Sequence, residues 1–271
     1  MKKYLIVILL AMVLSQCKSG LVTMSNSCYN LIATGESQNR AGNYSTALQN
    51  FNEVLAKCNA YDAKEKAFAG KASALNGLAQ YNDALTAANA GLKISQTSIN
   101  SLFEKANAEL GMGMTAEARA DLKNLIALTQ KNQHAAERAT IYAKIAAIDS
   151  RQQLYPEALE NIGQAIALDN TNPDFLVLKG DIQTAAGNFP DALGSYDEAA
   201  AKGKTGFTAQ KAKVIAMLKM NQKKYGTDNA DILARKMNSM EKQDLCAGIR
   251  NAQDKGMKDI TIDMTQAAIC K

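Results

Sequence analysis

The 271-residue sequence contains no Trp, one His and three Pro, and only 6% of its residues are aromatic. A single His removes most schemes in which a His base activates a nucleophile. His134 is interpreted as a surface residue, and Glu104 and Glu109 as solvent-facing charges on helices. We therefore expect no catalytic residue, no metal site and no cofactor, and the sequence does not predict an enzyme.

Apolar residues make up 47% of the chain, and Ala is prominent among them. Because few Pro interrupt the chain and few aromatic residues are present to fill a sheet, this composition favours helices that pack through small side chains. The sequence therefore predicts an all-α protein.

The formal net charge is +5, but its distribution is uneven. Residues 202–271 carry 14 basic and 7 acidic side chains. A basic region can face an anionic partner such as lipid or nucleic acid, although scattered Lys residues more often solvate a helical surface. We favour the second interpretation and expect no nucleic-acid partner.

The N-terminus has the pattern of an export signal. Met1–Lys3 is basic, and an apolar run from Tyr4 to Leu14 follows it, too short to span a bilayer. Leu14-Ser15-Gln16-Cys17 then resembles the bacterial lipobox, although Gln16 departs from the usual small residue; an ordinary secretory signal is the alternative. We expect a signal peptide (1–16), then a lipidated Cys17 with a linker (17–27). The resemblance implies an exported, lipid-anchored envelope protein that faces the periplasm or the cell surface.

A recurring Ala marks a repeat. Ala47, Ala84, Ala118, Ala158 and Ala192 are separated by 37, 34, 40 and 34 residues. This pattern is similar to that of the tetratricopeptide repeat, and it implies a right-handed superhelical array of antiparallel helical hairpins, with about five repeats in residues 28–206 and capping helices in 207–271. An Ala-rich helical bundle is the alternative. The longer spacings place extra residues at Tyr61–Lys64 and Gln133–Arg138, in longer loops or lengthened helices.

In this pattern, Gly or Ala on one helix admits its partner, and an aromatic residue after the turn fills the wedge between hairpins. The residues expected to pack the repeats are Gly35, Tyr44, Ala47, Phe51, Tyr81, Ala84, Ala118, Tyr155, Ala158, Gly180, Phe189, Ala192 and Tyr196.

The C-terminal segment predicts two helices separated by a Gly stop near Gly256. It resembles a C-terminal hairpin found in exported repeat proteins of the Bacteroidetes, with a Cys on each helix. An array needs such a cap over its last apolar face.

Besides Cys17, the chain has Cys28, Cys58, Cys246 and Cys270. If the repeat pattern holds, each pair brackets one hairpin and lies at the same end of two antiparallel helices. Export makes disulfides plausible, each stabilising by about 3–4 kcal/mol on the chain-entropy model. Free buried thiols are the alternative, and a metal site is a poor one because the spacing is wrong.

The tetratricopeptide resemblance implies that the first helix of each hairpin lines a concave groove that binds another protein or an extended peptide. The groove candidates are Tyr29, Ile32, Glu36, Asn39, Lys66, Ser73, Asn76, Asn100, Phe103, Asn107, Thr140, Arg151, Asp174 and Asp181. The clamp by which some members hold a C-terminal carboxylate is not reproduced, since apolar Ile32, Phe103 and Val177 stand at its positions. We expect a non-catalytic envelope scaffold or adaptor; a glycan- or peptidoglycan-binding lipoprotein is the alternative, disfavoured by the absence of Trp.

Overall fold

The computed structural model describes residues 24–130 and 135–270, and within these ranges every regular element is an α-helix. The helices are α1 (Asn26–Arg40), α2 (Tyr44–Lys57), α3 (Tyr61–Gly77), α4 (Tyr81–Ile94), α5 (Ile99–Gly111), α6 (Thr115–Thr129), α7 (Ala135–Arg151), α8 (Tyr155–Leu168), α9 (Pro173–Ala185), α10 (Phe189–Ala201), α11 (Phe207–Tyr225), α12 (Ala230–Lys236), α13 (Ser239–Asp254) and α14 (Ile260–Ile269). The signal peptide, Cys17 and His134 lie outside the described residues. Helix α1 begins two residues before the predicted repeat boundary, because Ser25 caps it through a hydrogen bond from the Cys28 N–H.

The chain divides into two compact units, Met1–Asp121 and Leu122–Lys271, and the division falls within α6. In unit 1, the first helices α1, α3 and α5 pack side by side, and α2 and α4 pack between them. In unit 2, α7 to α10 form two further antiparallel hairpins, followed by α11 to α14. The predicted all-α array of helical hairpins is confirmed.

The hairpin turns show the repeat in the backbone itself. Five turn residues have a left-handed φ between 57° and 79°: Gly42, Ala79, Gly113, Gln153 and Gly187. Their spacings match those of the five repeat Ala residues, all of which are fully buried. Gly supplies this conformation without steric cost, whereas Ala79 and Gln153 adopt it against their preference.

Close packing depends on Gly residues opposite aromatic rings. A Cβ on Gly35 would lie 2.8 Å from Phe51 Cζ, and one on Gly180 would lie 2.6 Å from Tyr196 Cε1. The aromatic residue that begins a second helix reaches the next repeat, since the Tyr44 ring packs against Gly77 at the end of α3. Small residues on the first helices therefore set how closely the hairpins stack.

The longer repeat spacings are taken up by longer helices. Helices α3 and α7 have 17 residues each, whereas α5 and α9 have 13. The extra residues at Tyr61–Lys64 extend the start of α3, and those at 135–138 form the start of α7.

The C-terminal helices begin at capped positions. Helix α12 begins at Ala230, where the Asn229 side chain caps it by accepting a hydrogen bond from the Ile232 N–H. Helix α13 begins with a capping box between Asn238 and Glu241, and Gly256 (φ 95°) lies in the turn that follows it.

Two disulfides close the first and last hairpins. Cys28 is bonded to Cys58 with a Cα–Cα distance of 6.0 Å, and Cys246 to Cys270 at 5.8 Å. The first bond joins the beginning of α1 to the end of α2, as the sequence pattern implied, whereas the second joins Cys246 in the middle of α13 to Cys270 at the end of α14. No helix within 24–130 and 135–270 has the length and apolar character needed to cross a membrane.

Candidate functional site

In unit 1, three successive first helices enclose a cleft of about 230 Å³, which we call the α1–α3–α5 cleft. It is lined by Glu36, Asn39, Arg40, Lys66, Ala69, Gly70, Ser73, Asn100, Phe103 and Glu104. Six of the groove candidates are brought together here: Glu36, Asn39, Lys66, Ser73, Asn100 and Phe103. Arg40, Gly70 and Glu104 were not among the candidates.

The cleft is mixed in character and balanced in charge. Glu36 and Glu104 oppose Arg40 and Lys66, so its charged side chains sum to zero. Ser73 and Asn100 add neutral hydrogen-bonding groups, and Phe103 adds an aromatic surface. Such a lining can bind main-chain amides and mixed side chains, and it has no excess charge to select a strongly charged ligand.

Two Asn residues tie successive first helices together. Asn39 Nδ2 in α1 donates to the Gly70 carbonyl in α3 at 2.9 Å, and Asn76 Nδ2 in α3 donates to the Glu104 carbonyl in α5 at 2.9 Å. Gly70 and Glu104 are 34 residues apart, one repeat, so the same link recurs at two junctions. The Oδ1 atoms of both Asn residues are buried without a hydrogen-bond partner. These side chains therefore fix the walls of the cleft.

Glu104 is oriented by its neighbours. Its Oε2 accepts hydrogen bonds from Asn76 Nδ2 at 2.9 Å and from Asn107 Nδ2 at 3.1 Å. The expectation of a freely solvated Glu104 was therefore wrong: its side chain is part-buried and held at the cleft wall. Neither Asn76 nor Asn107 lines the cleft.

Ile32 is a second correction. It is 4% exposed and packs in the unit 1 core with Phe51 and Val54, so it is not a groove residue. Ile32 occupies the same repeat position as Ala69 and Phe103, at the border between core and cleft. Burial of a large aliphatic side chain at this position removes apolar surface from water, and this stabilises the fold more than leaving the side chain exposed in the cleft. Tyr29 is exposed at the start of α1 and does not line the cleft.

Glu109 is a third correction, because it is 2% exposed rather than solvent-facing. Lys105 Nζ lies 3.3 Å from Glu109 Oε1 and 2.6 Å from Asp121 Oδ2. Burial, together with the charge of Asp121, raises the pKa of Glu109 against the opposing effect of Lys105. The repeat register contains a signal for this burial, since Glu109 stands at the position of buried Leu75. This cluster joins Lys105 and Glu109 in α5 to Asp121 and does not line the cleft.

In unit 2 the remaining candidates separate. Asp174 and Asp181 line a cleft of about 410 Å³ between α9 and the beginning of α11, which we call the α9–α11 cleft. Thr140 and Arg151 are exposed on α7 and do not line it. Thr140 Oγ1 donates to the Ala136 carbonyl within its own helix.

The Lys-rich C-terminal region makes many internal contacts. Lys213 pairs with Asp197, Lys224 with Glu241, and Lys211 Nζ lies 2.6 Å from Asp259 Oδ2. Lys223 Nζ lies 5.7 Å from the centre of the Phe189 ring, and Lys236 Nζ donates to the Tyr225 carbonyl at 3.0 Å. Much of the positive charge therefore ties helices together, which favours the interpretation of the region as a helical surface.

No protein-family model and no curated protein matches the sequence. Solved structures do match the fold. A tetratricopeptide repeat protein from Parabacteroides merdae aligns with a TM-score of 0.57 and 12% identity, covering 91% of this chain and all of that one. The chain has the tetratricopeptide-repeat fold. Pseudomonas aeruginosa pilF aligns over 89% of this chain and 96% of its own, with a TM-score of 0.63 and 14% identity.

A further tetratricopeptide-repeat protein, YrrB, is described as having an unusual peptide-binding site. It covers 80% of this chain and 97% of its own, with a TM-score of 0.53 and 12% identity. At these identities the likeness concerns the arrangement of helices.

Proposed function

We propose that this tetratricopeptide-repeat protein is a non-catalytic scaffold of the bacterial envelope that holds an extended segment of a partner protein in the α1–α3–α5 cleft. The observation that carries the proposal is the convergence of side chains from three successive first helices on one cleft. Charged groups of both signs, amides and one aromatic ring suit a polypeptide of mixed sequence. The Asn39 and Asn76 links support this use, because walls held in place before binding lose less entropy when a ligand binds.

The sequence pattern at Cys17 supports a lipid anchor, and with it an envelope location. If the anchor is present, replacing Cys17 by Ala releases the protein from the membrane fraction after a salt wash. Retention of the Cys17→Ala protein on washed membranes would overturn the anchor without affecting the proposal for the cleft.

The cleft is tested with a display library of random 12-residue peptides, panned against the wild-type protein. Ser73→Arg places a long side chain in the cleft, and Asn89→Arg on the exposed surface of α4 is the matched control. Titration calorimetry measures the affinity of the enriched peptides for the three proteins. The peptides are expected to bind Ser73→Arg at least tenfold more weakly than the wild type, and to bind Asn89→Arg with the affinity of the wild type. Equal affinity for all three proteins contradicts the proposal. Binding of soluble peptidoglycan fragments that is lost in Ser73→Arg, without peptide binding, would favour the glycan alternative.

A further inference from the structure

The α9–α11 cleft differs in chemistry from the α1–α3–α5 cleft. Its volume of about 410 Å³ is in the range of small-ligand sites. Val177 and Leu178 give it an apolar lining, Phe207 adds an aromatic ring, and Asp174, Asp181 and Lys204 are its charged residues. Two carboxylates and one ammonium group leave it with one net negative charge.

That net charge lies on Asp181. Lys204 Nζ is 2.5 Å from Asp174 Oδ1, so this pair is internally neutral. Asp181 Oδ1 accepts a hydrogen bond from the Tyr196 hydroxyl at 2.7 Å, and Asp181 forms no ion pair within residues 135–270. Partial burial raises the pKa of Asp181, and only the Tyr196 hydrogen bond opposes that effect. The carboxylate is thus oriented but has no counter-cation.

The aromatic residue in the same cleft is unusually open. Phe207, the first residue of α11, is 48% exposed, whereas Phe175 and Phe189 in the same unit are buried. An exposed phenyl ring and an uncompensated carboxylate that line one cleft suit a guanidinium group, which can stack its plane on the ring and direct its N–H donors to the carboxylate. Val177 and Leu178 can contact the methylene stem of the same side chain.

We propose that the α9–α11 cleft binds an Arg side chain of a partner polypeptide, with the guanidinium on the Asp181 carboxylate and against the Phe207 ring. The proposal rests on the proposed function only in taking the partner to be a polypeptide. It concerns different residues in the other unit, so the two can fail separately.

The test measures the affinity of two labelled peptides for the full chain by fluorescence anisotropy. The first is acetyl-Gly-Leu-Arg-Leu-Gly-amide, and the second carries citrulline, a neutral isostere, in place of Arg. The Arg peptide is expected to bind about tenfold more tightly, because a hydrogen bond to a charged group is stronger than one to a neutral group. Equal affinity of the two peptides, or binding of neither, overturns the proposal.

Three variants assign the binding. Asp181→Asn keeps an oxygen for the Tyr196 hydroxyl, and it should remove the preference for Arg over citrulline. Phe207→Ala should lower the affinity for both peptides. Lys204→Gln should raise the affinity for the Arg peptide, because it removes a competing cation. Lys93→Gln, on the exposed surface of α4 and outside both clefts, is the control and should leave both affinities unchanged. An unchanged preference in a folded Asp181→Asn protein, checked by circular dichroism, or a loss in Lys93→Gln, would show that the peptide binds elsewhere.

Discussion

In the N-terminal hairpin (α1 and α2), the two helices pack along each other around Phe51, and the Cys28–Cys58 bond closes ends that are already adjacent. In the C-terminal hairpin (α13 and α14), the two helices contact each other much less. Helix α13 packs mainly on α11 and α14 mainly on α12. The Cys246–Cys270 bond therefore joins helices whose main packing partners differ.

The difference shows that similar disulfides can have different local consequences. The two bonds close loops of 30 and 24 residues, so the chain-entropy model assigns them nearly equal stabilisation. The packing of the two hairpins, in contrast, is unequal. Helix α14 leaves Ile260 79% exposed and Met264 69% exposed, so it buries only part of its apolar surface. We expect the C-terminal hairpin to depend more on its bond.

The largest effect should come from the core of the N-terminal hairpin. Phe51 is fully buried and lies against the backbone of Gly35 and Gly70. Phe51→Ala should lower the free energy of unfolding by about 4 kcal/mol, and Leu245→Ala in the C-terminal hairpin by about 3 kcal/mol. Urea denaturation followed by circular dichroism measures both. A loss below 1 kcal/mol for Phe51→Ala would contradict the packing described for this hairpin.

Removing each disulfide separates covalent closure from packing. Replacing either Cys pair by Ser should cost about 3 kcal/mol. The local response should differ: amide hydrogen exchange in α14 should approach that of an unfolded segment without Cys246–Cys270, whereas α1 and α2 should keep slow exchange without Cys28–Cys58. If the amides of α14 stay protected from exchange in this variant, the contacts of α14 with α12 are sufficient to keep it folded without the bond.

A smaller effect is expected at the Asn link of the N-terminal end. Asn39→Ala removes the hydrogen bond to the Gly70 carbonyl and should cost about 1 kcal/mol. Asn89→Ala, on an exposed part of α4, is the control and should change stability little. If Asn39→Ala and Asn89→Ala have the same free energy of unfolding, the hydrogen bond to the Gly70 carbonyl does not hold α1 against α3.

The smallest effect concerns a surface interaction of the C-terminal end. Hydrogen bonds from Lys224 and Tyr225 lower the pKa of Glu241 to about 2. A lowered carboxylate pKa stabilises the fold above the unfolded value, near 4.5, and this contribution is lost as the pH falls towards 2. Glu241→Gln should therefore be slightly less stable than the wild type at pH 7, and the difference should shrink below pH 4.5 and in high salt. A difference independent of pH would argue against the ionised pair.

Much of the fold could be predicted because the repeat depends on small residues. A buried Ala at the same place in each hairpin is required wherever two helices approach closely, so its spacing reveals the register even where other positions vary. The side of a helix that faces the cleft was predictable from the same register. This is why six candidates from α1, α3 and α5 line one cleft.

The features that could not be predicted from the sequence depend on contacts between successive helical hairpins. Ile32 stands at a position that is core or cleft depending on side-chain size, so register alone could not assign it. The Asn39 and Asn76 links end on main-chain carbonyls, which every residue has, and no side-chain pattern marks such an acceptor. The α9–α11 cleft depends on where α11 begins, and residues 207–271 lie outside the predicted repeats.

The Cys28–Cys58 bond also determines how the protein would respond to a mechanical load. A pull on the residues before Cys28 passes through the sulfur atoms to Cys58 and reaches α3 without loading the parts of α1 and α2 that lie between the two Cys residues. The 30 residues spanned by the bond, which would extend to about 100 Å as a free chain, are removed from the stretchable length. Under tension from its N-terminus, the oxidised protein would thus transmit force directly to the second repeat. Reduction of the bond would allow the first hairpin to unfold and extend under the same load.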